Sequence, residues 1–324
     1  MTKSYLFLLL GWLFVSAECN AQESYLNYHS KVVECEKLII KGKYTSAIDQ
    51  FDALFNQFDF LFLRDIKVAT ELSTYEKDDE LGLKFLRLGI KAGWTLESIL
   101  KNQRLRSLRE HSEWSEIVSS YDSLHKTYLS RLNFQIHDQV HEMFKKDQKK
   151  ALGALFRIGQ KARNKYAEKK FAPHCEEQLQ LLDSILNQHG YPGEQLTGNS
   201  LWASVILCHH NSISLNYNSK DTLGTQLKPK LVEALKRGEI SPYEFAQIED
   251  WKTAGLTGHE LTACGFIGKI PNNTELKRVN ENRSEIGLRS IELRNNLIDV
   301  EKSTGLNLYL PKGWQNGKIM VADK

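Results

Sequence analysis

The sequence predicts an all-α fold, in which paired amphipathic helices precede a helical C-terminal domain. Apolar residues recur at three- and four-residue spacing over most of the chain, and capping signals flank many of these stretches. No long stretch alternates apolar with polar residues in the manner of a strand. At 324 residues the chain is long enough for two domains.

The composition is that of a globular protein with a balanced charge. Hydrophobic residues make up 41% and charged residues 26% of the chain, which is enough apolar surface for a core. The 43 basic and 40 acidic residues leave a formal net charge of +3. Because this balance gives no argument for a nucleic-acid partner, we expect none.

The start of the chain has the features of an export signal. Lys3 supplies a positive charge, residues 5–15 form an eleven-residue apolar run, and a small-residue site allows cleavage after Ala21. A membrane-spanning helix would need about 20 apolar residues. We therefore predict that residues 1–21 are a signal peptide and that the mature protein is periplasmic or secreted, with no integral membrane span. Cys19 invites a lipoprotein anchor, but the charged Glu18 before it disfavours that alternative.

Four cysteines remain after removal of the signal peptide. An even number permits disulfides in an oxidising compartment, with three pairings that the sequence does not rank. Separate buried thiols in a helical core agree equally well with the irregular spacing. The four residues are Cys35, Cys175, Cys208 and Cys264.

Residues 22–130 are predicted to form a helical repeat module. Small and bulky apolar residues recur there at an interval of 35 positions, as in Ala47 and Gly82 or Phe51 and Leu86. This self-similarity resembles tetratricopeptide repeats, whose second helix begins with a small residue and carries a bulky one a turn later. Two repeats are too few to be stable alone, so the module must pack on the rest of the chain. The predicted helices span 31–41, 44–56, 63–75 and 81–92.

Residues 131–310 are predicted to form a helical C-terminal domain, and residues 311–324 a frayed tail. We expect one or two long helices over 121–170. The strongest boundary signal follows at Ser241-Pro242-Tyr243-Glu244, a capping box with proline at the first helical position. At the centre of the domain, residues 201–210 read as an apolar helix that ends in two histidines.

Four side chains of this domain are candidates for catalysis. His210 ends the apolar helix beside a polar loop, where a neutral imidazole would act as a general base. Neighbouring side chains on a helix point about 100° apart, so at most one of His209 and His210 serves a given site. Asp147 or Asp250 would orient the base, and Arg283 would hold an anionic group with its planar guanidinium.

A metal site is a weaker alternative. His137 and His141 have the i, i+4 spacing of zinc-protease helices, but Asp138 stands where such a motif needs Glu, and no third ligand follows at the expected distance. Cys208 beside a histidine offers another combination. A solvated helix face accounts better for the two histidines, so we expect no metal and no cofactor.

The polar positions of residues 132–290 resemble a bacterial domain-of-unknown-function family, which is often secreted and in some members follows tetratricopeptide-like repeats. The family pattern joins an Asp-Gln, a Gly-aromatic-Pro-Gly turn, a helix ending in His, an Ala-x-x-x-Asp helix and an Arg-x-Glu-Ile-Gly-Leu run. The matching positions are Asp147-Gln148, Gly190-Tyr191-Pro192-Gly193, His209 or His210, Ala246 to Asp250, and Arg283-Ser284-Glu285-Ile286-Gly287-Leu288.

The chain departs from this family at three places. Members usually carry Arg soon after the Asp-Gln, where this chain has Lys149-Lys150-Ala151. They carry Arg after the helix Asp, where this chain has Trp251, and Tyr-Gly-Thr, where it has Cys264-Gly265-Phe266. A family site built from those residues would be incomplete here. The resemblance therefore implies a fold and a compartment, and it brings no known reaction.

Two hypotheses about function follow. In the first, the protein is an exported binding protein of the cell envelope, and the helical repeats hold a peptide or protein partner. In the second, it is a hydrolase-type enzyme that uses His210, Asp147 or Asp250, and Arg283. The second hypothesis requires these side chains to converge on one cleft.

Overall fold

The computed structural model describes residues 24–322, apart from the side chains of residues 154, 155, 160 and 315. It confirms the all-α class, since residues 24–322 contain helices and no strand. The predicted signal peptide, residues 1–21, lies outside the described residues. The α-helices are α1 (Tyr25–Ile40), α2 (Tyr44–Phe55), α3 (Leu63–Glu76), α4 (Asp79–Lys91), α5 (Leu96–Lys101), α6 (Arg106–Glu110), α7 (Trp114–Ser119), α8 (Tyr121–Arg131), α9 (Phe134–Leu155), α10 (Gln160–Tyr166), α11 (Ala172–His189), α12 (Glu194–Thr197), α13 (Trp202–Asn211), α14 (Leu215–Asn218), α15 (Leu223–Lys236), α16 (Pro242–Thr257), α17 (Asn273–Glu285) and α18 (Ile291–Thr304).

The N-terminal half begins with two packed helix pairs, α1 with α2 and α3 with α4. The first helix starts earlier than predicted because the Ser24 hydroxyl accepts a hydrogen bond from the Leu26 amide and caps it. Phe51 and Leu86, which stand 35 positions apart, are both fully buried. The order of the helices matches the predicted pairs. The resemblance to tetratricopeptide repeats stays a prediction.

The end of the chain completes the core of this half. Helix α18 packs on α1, and Leu306, Leu308 and Leu310 lie in the same buried cluster as the side chains of α1 to α4. Two helix pairs cannot bury their own apolar faces, so another part of the chain must cover them. Residues 305–310 do so here, and they pass over α3.

Glu71 fixes this covering segment to α3. Its side chain is fully buried, and its carboxylate accepts hydrogen bonds from the Asn307 amide at 2.8 Å and the Tyr309 hydroxyl at 2.8 Å. The Asn102 side-chain amide donates a third at 3.0 Å. From the same helix, Arg64 donates to the Leu308 carbonyl. One buried carboxylate thus orders a segment more than 230 residues away in sequence.

A second core lies in the C-terminal half, around α13. This helix packs against α9, α11 and α16, and Val140, Leu182 and Ile206 are fully buried between them. The capping box at the start of α16 is confirmed, with the Glu244 amide donating to the Ser241 hydroxyl at 3.2 Å and the Ser241 amide donating to Glu244. These helices hold the candidate residues of the sequence in place.

Two expectations need correction. The one or two long helices predicted over 121–170 are instead α8, α9 and α10, followed by a π-helical segment at Ala167–Phe171. Gly159 precedes α10 with a φ of 82°, a left-handed conformation that ends a helical path and favours glycine.

The second correction concerns residues 312–322, which are packed rather than frayed. Ile319 is 4% exposed, and its amide and carbonyl both hydrogen bond with the Asn295 side chain. Arg294 donates to the Gly317 carbonyl at 2.6 Å. A side-chain amide that pairs with both groups of one residue replaces the missing secondary structure.

The four cysteines, Cys35, Cys175, Cys208 and Cys264, are separate buried thiols. Burial raises the pKa of each of them, which keeps them protonated at neutral pH. In the part of the chain that the structure describes, no helix combines the length and the apolar character needed to cross a bilayer.

We expect Glu71→Ala to lower the free energy of unfolding by about 3–5 kcal/mol, because the buried donors of Asn307 and Tyr309 lose their acceptor. Urea denaturation followed by circular dichroism measures this loss. Glu76→Ala removes an exposed carboxylate from the same helix and should change stability by less than about 0.5 kcal/mol. Equal effects of the two substitutions would contradict the role given to Glu71.

Candidate functional site

A cavity of about 210 Å³ lies where α1 and the start of α3 meet α16, α17 and α18. It therefore sits at the junction of the two halves, a common position for ligand sites. Apolar walls come from Val32, Phe62, Phe266 and Leu288. Four arginines also line it, and they are Arg64, Arg283, Arg289 and Arg294.

Two of these arginines are neutralised by buried carboxylates. Glu36 of α1 is 1% exposed and forms ion pairs with Arg64 at 2.9 Å and with Arg289 at 2.5 Å. Arg64 also pairs with Asp65 at 2.9 Å. Since buried charges are stable only when they are matched, this network is a fixed part of the fold.

Arg283 is held differently. It is fully buried, its Nε donates to the Arg289 carbonyl at 2.5 Å, and its Nη1 donates to the Cys264 carbonyl at 2.6 Å. The guanidinium lies 5.1 Å from the centroid of the Phe266 ring. Its Nη2 has no hydrogen-bond partner among the described residues. These contacts orient the positive charge, and none of them neutralises it.

Two further nitrogens of the cavity lining lack partners within residues 24–322. Arg294 donates from Nη1 to the Gly317 carbonyl and from Nη2 to the Pro311 carbonyl, while its Nε is unpaired. His29 is 6% exposed, and its Nε2 is unpaired. Buried polar atoms are almost always hydrogen bonded, so three nitrogens without a protein partner around one cavity leave room there for a water molecule or a ligand.

The electrostatics of the cavity favour an anion. Burial, together with the charge of Arg289, lowers the pKa of Arg283 to about 9 and that of Arg294 to about 10, so both remain cationic at neutral pH. The same two causes lower the pKa of His29 to about 3, and its ring is neutral. Burial raises the pKa of Glu194, another lining residue, to about 7. This carboxyl is therefore only partly ionised near pH 7.

Asp147 is paired with His209 rather than with His210. The carboxylate is fully buried, and its Oδ2 lies 2.5 Å from Nδ1 of His209, whose side chain is 26% exposed. Oδ1 of Asp147 has no hydrogen-bond partner among the described residues. The sequence placed the better candidate at His210 because that residue is closer to the polar loop, but the helical rotation turns His209 toward α9.

His210 lies in a separate buried cluster. It is 1% exposed, and its Nε2 lies 3.2 Å from Oδ1 of Asp221. Lys252 approaches the other oxygen of Asp221 at 2.6 Å. Burial opposes ionisation of Asp221, but His210 and Lys252 outweigh it and lower the pKa of this carboxyl well below its usual range. The cluster ties α13 to α16.

Asp250 organises a loop. Its two oxygens accept four hydrogen bonds from residues 262–267, including those of the Thr262 hydroxyl at 2.8 Å, the Cys264 amide at 2.5 Å and the Phe266 amide at 2.6 Å. A carboxylate with both oxygens filled by backbone and side-chain donors is a structural anchor. The loop it fixes presents the Cys264 carbonyl to Arg283.

The four predicted residues do not meet in the arginine-lined cavity. Arg283 lines it, whereas Asp147, Asp250 and His210 do not. Asp250 is linked to Arg283 through the loop that contains Cys264, and its charge acts on the guanidinium from a distance. Three of the lining arginines, Arg64, Arg289 and Arg294, were not among the candidates predicted from the sequence. Arg289 and Arg294 closely follow the family-like run that begins at Arg283, and this cluster of cations could have indicated the site.

The weaker metal alternative gains no support. His141 stacks on Trp202, with ring centroids 4.3 Å apart and an interplanar angle of 13°. His137 instead contacts the neighbouring Asp138 at 2.9 Å. Across residues 24–322, no group of three or more His, Cys, Asp or Glu side chains is placed to hold a metal ion.

Comparison with known proteins gives one weak similarity. Enolase from Solanum lycopersicum is 27% identical to this chain over an alignment of 171 residues, and the match covers 49% of this chain and 38% of the enolase. The chain thus spans less than half the length of that relative. No family model matches the chain, and no solved structure matches it. A similarity of this extent does not assign the chain to a family.

We expect Asp250→Asn to lower the free energy of unfolding by about 2–4 kcal/mol, because an amide nitrogen would replace an acceptor that faces backbone N–H groups. Chemical denaturation measures the change. Asp138→Asn is the matched control, since the Asp138 side chain is 79% exposed and its replacement should cost less than about 0.5 kcal/mol. A variant of Asp250 as stable as the control would show that the residue does not anchor the loop.

Proposed function

We propose that the protein is an exported binding protein that holds a small organic anion in the arginine-lined cavity. The observation that carries this proposal is Arg283, a fully buried cation that lines the cavity with Nη2 unpaired among the described residues. An uncompensated buried charge is costly unless a ligand neutralises it. The guanidinium is the side chain best suited to bind a carboxylate or phosphate through paired donors.

The other walls of the cavity narrow the ligand class to an anion with an apolar body. Val32, Phe62 and Leu288 would contact hydrocarbon, while Arg294 and His29 would supply further donors. Ligand sites of this kind join an apolar surface to a few polar groups that fix orientation. A carboxylate on a short aliphatic or aromatic group fits this combination best.

The repeat surface gives less support for a peptide partner, which was the first hypothesis from the sequence. Residues 305–310 already cover α3, and the Asn307 amide and the Tyr309 hydroxyl fill the acceptor sites of the Glu71 carboxylate. The second hypothesis, a hydrolase-type site, also has less support, because only Arg283 of its four candidate residues lines the cavity.

Export of the protein is supported by Lys3, the apolar run 5–15 and the small residues that end at Ala21.

We expect Arg283→Gln to weaken binding of straight-chain carboxylates by at least about tenfold, because the unpaired guanidinium supplies charge-assisted hydrogen bonds. Isothermal titration calorimetry of the mature protein with the series from acetate to octanoate measures this. Affinity should rise with chain length as the apolar walls are filled.

Arg106→Gln is the matched control for this experiment. The Arg106 side chain is 76% exposed on α6, so its replacement should leave carboxylate binding unchanged. Failure of every member of the series to bind the unaltered protein, or equal affinities for the Arg283 and Arg106 variants, would overturn the proposal.

We expect octanoate binding to weaken by about tenfold as the pH rises from about 6 to 8, because ionisation of Glu194 adds a negative charge to the cavity. Octanoate itself is ionised throughout this range, so the change reports on the protein. In Glu194→Gln the affinity should be nearly independent of pH, and the Gln oxygen can still accept from the Leu63 amide. An unaltered pH profile in that variant would exclude Glu194 as the cause.

A further inference from the structure

The charge of the chain is concentrated in one hairpin, which we call the basic tip and define as residues 145–170. It contains the end of α9, the turn 156–159 and α10. Ten of its 26 residues are basic and two are acidic, whereas the rest of the chain has 33 basic and 38 acidic residues. The basic side chains are all exposed, and they are Lys145, Lys146, Lys149, Lys150, Arg157, Lys161, Arg163, Lys165, Lys169 and Lys170.

The two acidic residues of the basic tip do little to offset this charge. Asp147 is fully buried against His209. Glu168 accepts hydrogen bonds from Ser214 at 2.8 Å and Asn216 at 3.4 Å. Lys145 pairs with Glu142 at 2.7 Å. The remaining cations therefore present a positive surface to solvent.

Apolar side chains stand at the end of this surface. Ile158 is 96% exposed and Phe156 is 80% exposed, and Leu152 one turn before the end of α9 is 52% exposed. The two legs of the hairpin are joined, since the Tyr166 hydroxyl donates to the Lys150 carbonyl at 2.9 Å and packs against Gly153. The exposed apolar residues thus project from a hairpin whose two legs are held together by the contacts of Tyr166.

We propose that the basic tip docks the protein on an anionic phospholipid bilayer, with Phe156 and Ile158 entering the interface and the surrounding cations contacting lipid phosphates. Burial of exposed apolar side chains and attraction to anionic lipid are the two sources of affinity in peripheral membrane binding. Both are present within one hairpin here. This proposal does not depend on the ligand of the cavity.

The apolar residues favour a bilayer over a nucleic acid as the partner. Cations alone would serve either surface, because both carry phosphates. Single-stranded nucleic acids add stacking on aromatic side chains. Among the described large apolar side chains of the tip, the aliphatic Ile158 is the most exposed and Leu152 accompanies it, and such groups gain most from leaving water for hydrocarbon.

Co-sedimentation of the mature protein with vesicles tests the proposal. We expect the protein to bind vesicles of phosphatidylcholine with about 30% phosphatidylglycerol at least about tenfold more tightly than vesicles of phosphatidylcholine alone, since each cation near an anionic surface adds affinity. Binding should weaken as the salt concentration rises, because the charges are exposed.

Two double variants separate the apolar from the electrostatic contribution. Phe156→Ser with Ile158→Ser should reduce binding to the anionic vesicles by at least about tenfold, while Leu100→Ser with Leu215→Ser, at positions 47% and 56% exposed elsewhere, should not. Lys161→Glu with Lys165→Glu should cause a loss of similar size. Lys41→Glu with Lys43→Glu makes the same change of charge in the N-terminal half and should leave binding intact.

Three results would overturn the proposal. The first is equal binding to neutral and anionic vesicles, and the second is full binding by the double variant of Phe156 and Ile158. The third is that a mixed-sequence single-stranded oligonucleotide displaces the vesicles and still binds to that double variant. The last result would identify the tip as a nucleic-acid surface. Because the substituted side chains are exposed, circular dichroism should show unchanged helix content in each variant.

Discussion

The structure depends on one buried carboxylate, Glu36, which joins the two halves of the chain. From α1 it pairs with Arg64 at the start of α3 and with Arg289 beyond α17. Loss of one partner from such a cluster is far more costly than loss of an exposed ion pair, because the remaining charge stays buried. The orientation of the N-terminal helices relative to the C-terminal half is therefore fixed by buried ion pairs as well as by apolar contacts.

The cavity is a consequence of this arrangement. Glu36 neutralises the arginines nearest to α1. Among the described residues, Arg283 and Arg294 have no carboxylate at ion-pair distance, and the charges of Asp250 and Glu301 act on them only from farther away. Their contacts are carbonyl oxygens and aromatic faces, which hold a guanidinium in place and leave its charge available. The same elements that join the halves thus hold these two cations in fixed positions around the cavity.

The all-α class and the capping box at Ser241 could be predicted because they depend on local sequence patterns. The partner of Asp147 could not, since the choice between His209 and His210 depends on how α13 is rotated against α9. Likewise, the spacing of Arg283 and Asp250 in the sequence does not reveal that loop amides donate hydrogen bonds to both oxygens of the Asp250 carboxylate. Contacts between distant segments decide which polar residues face a cavity, and one sequence does not contain that geometry.

The cover that residues 305–310 form over α3 has a consequence for biogenesis. The core of the first helices includes Leu306, Leu308 and Leu310, which are synthesised long after α1 to α4. A nascent chain that has only the N-terminal half available would expose the apolar surfaces of α1 and α3 until residues 305–310 have been synthesised. Such long-range closure slows folding and invites chaperone contact.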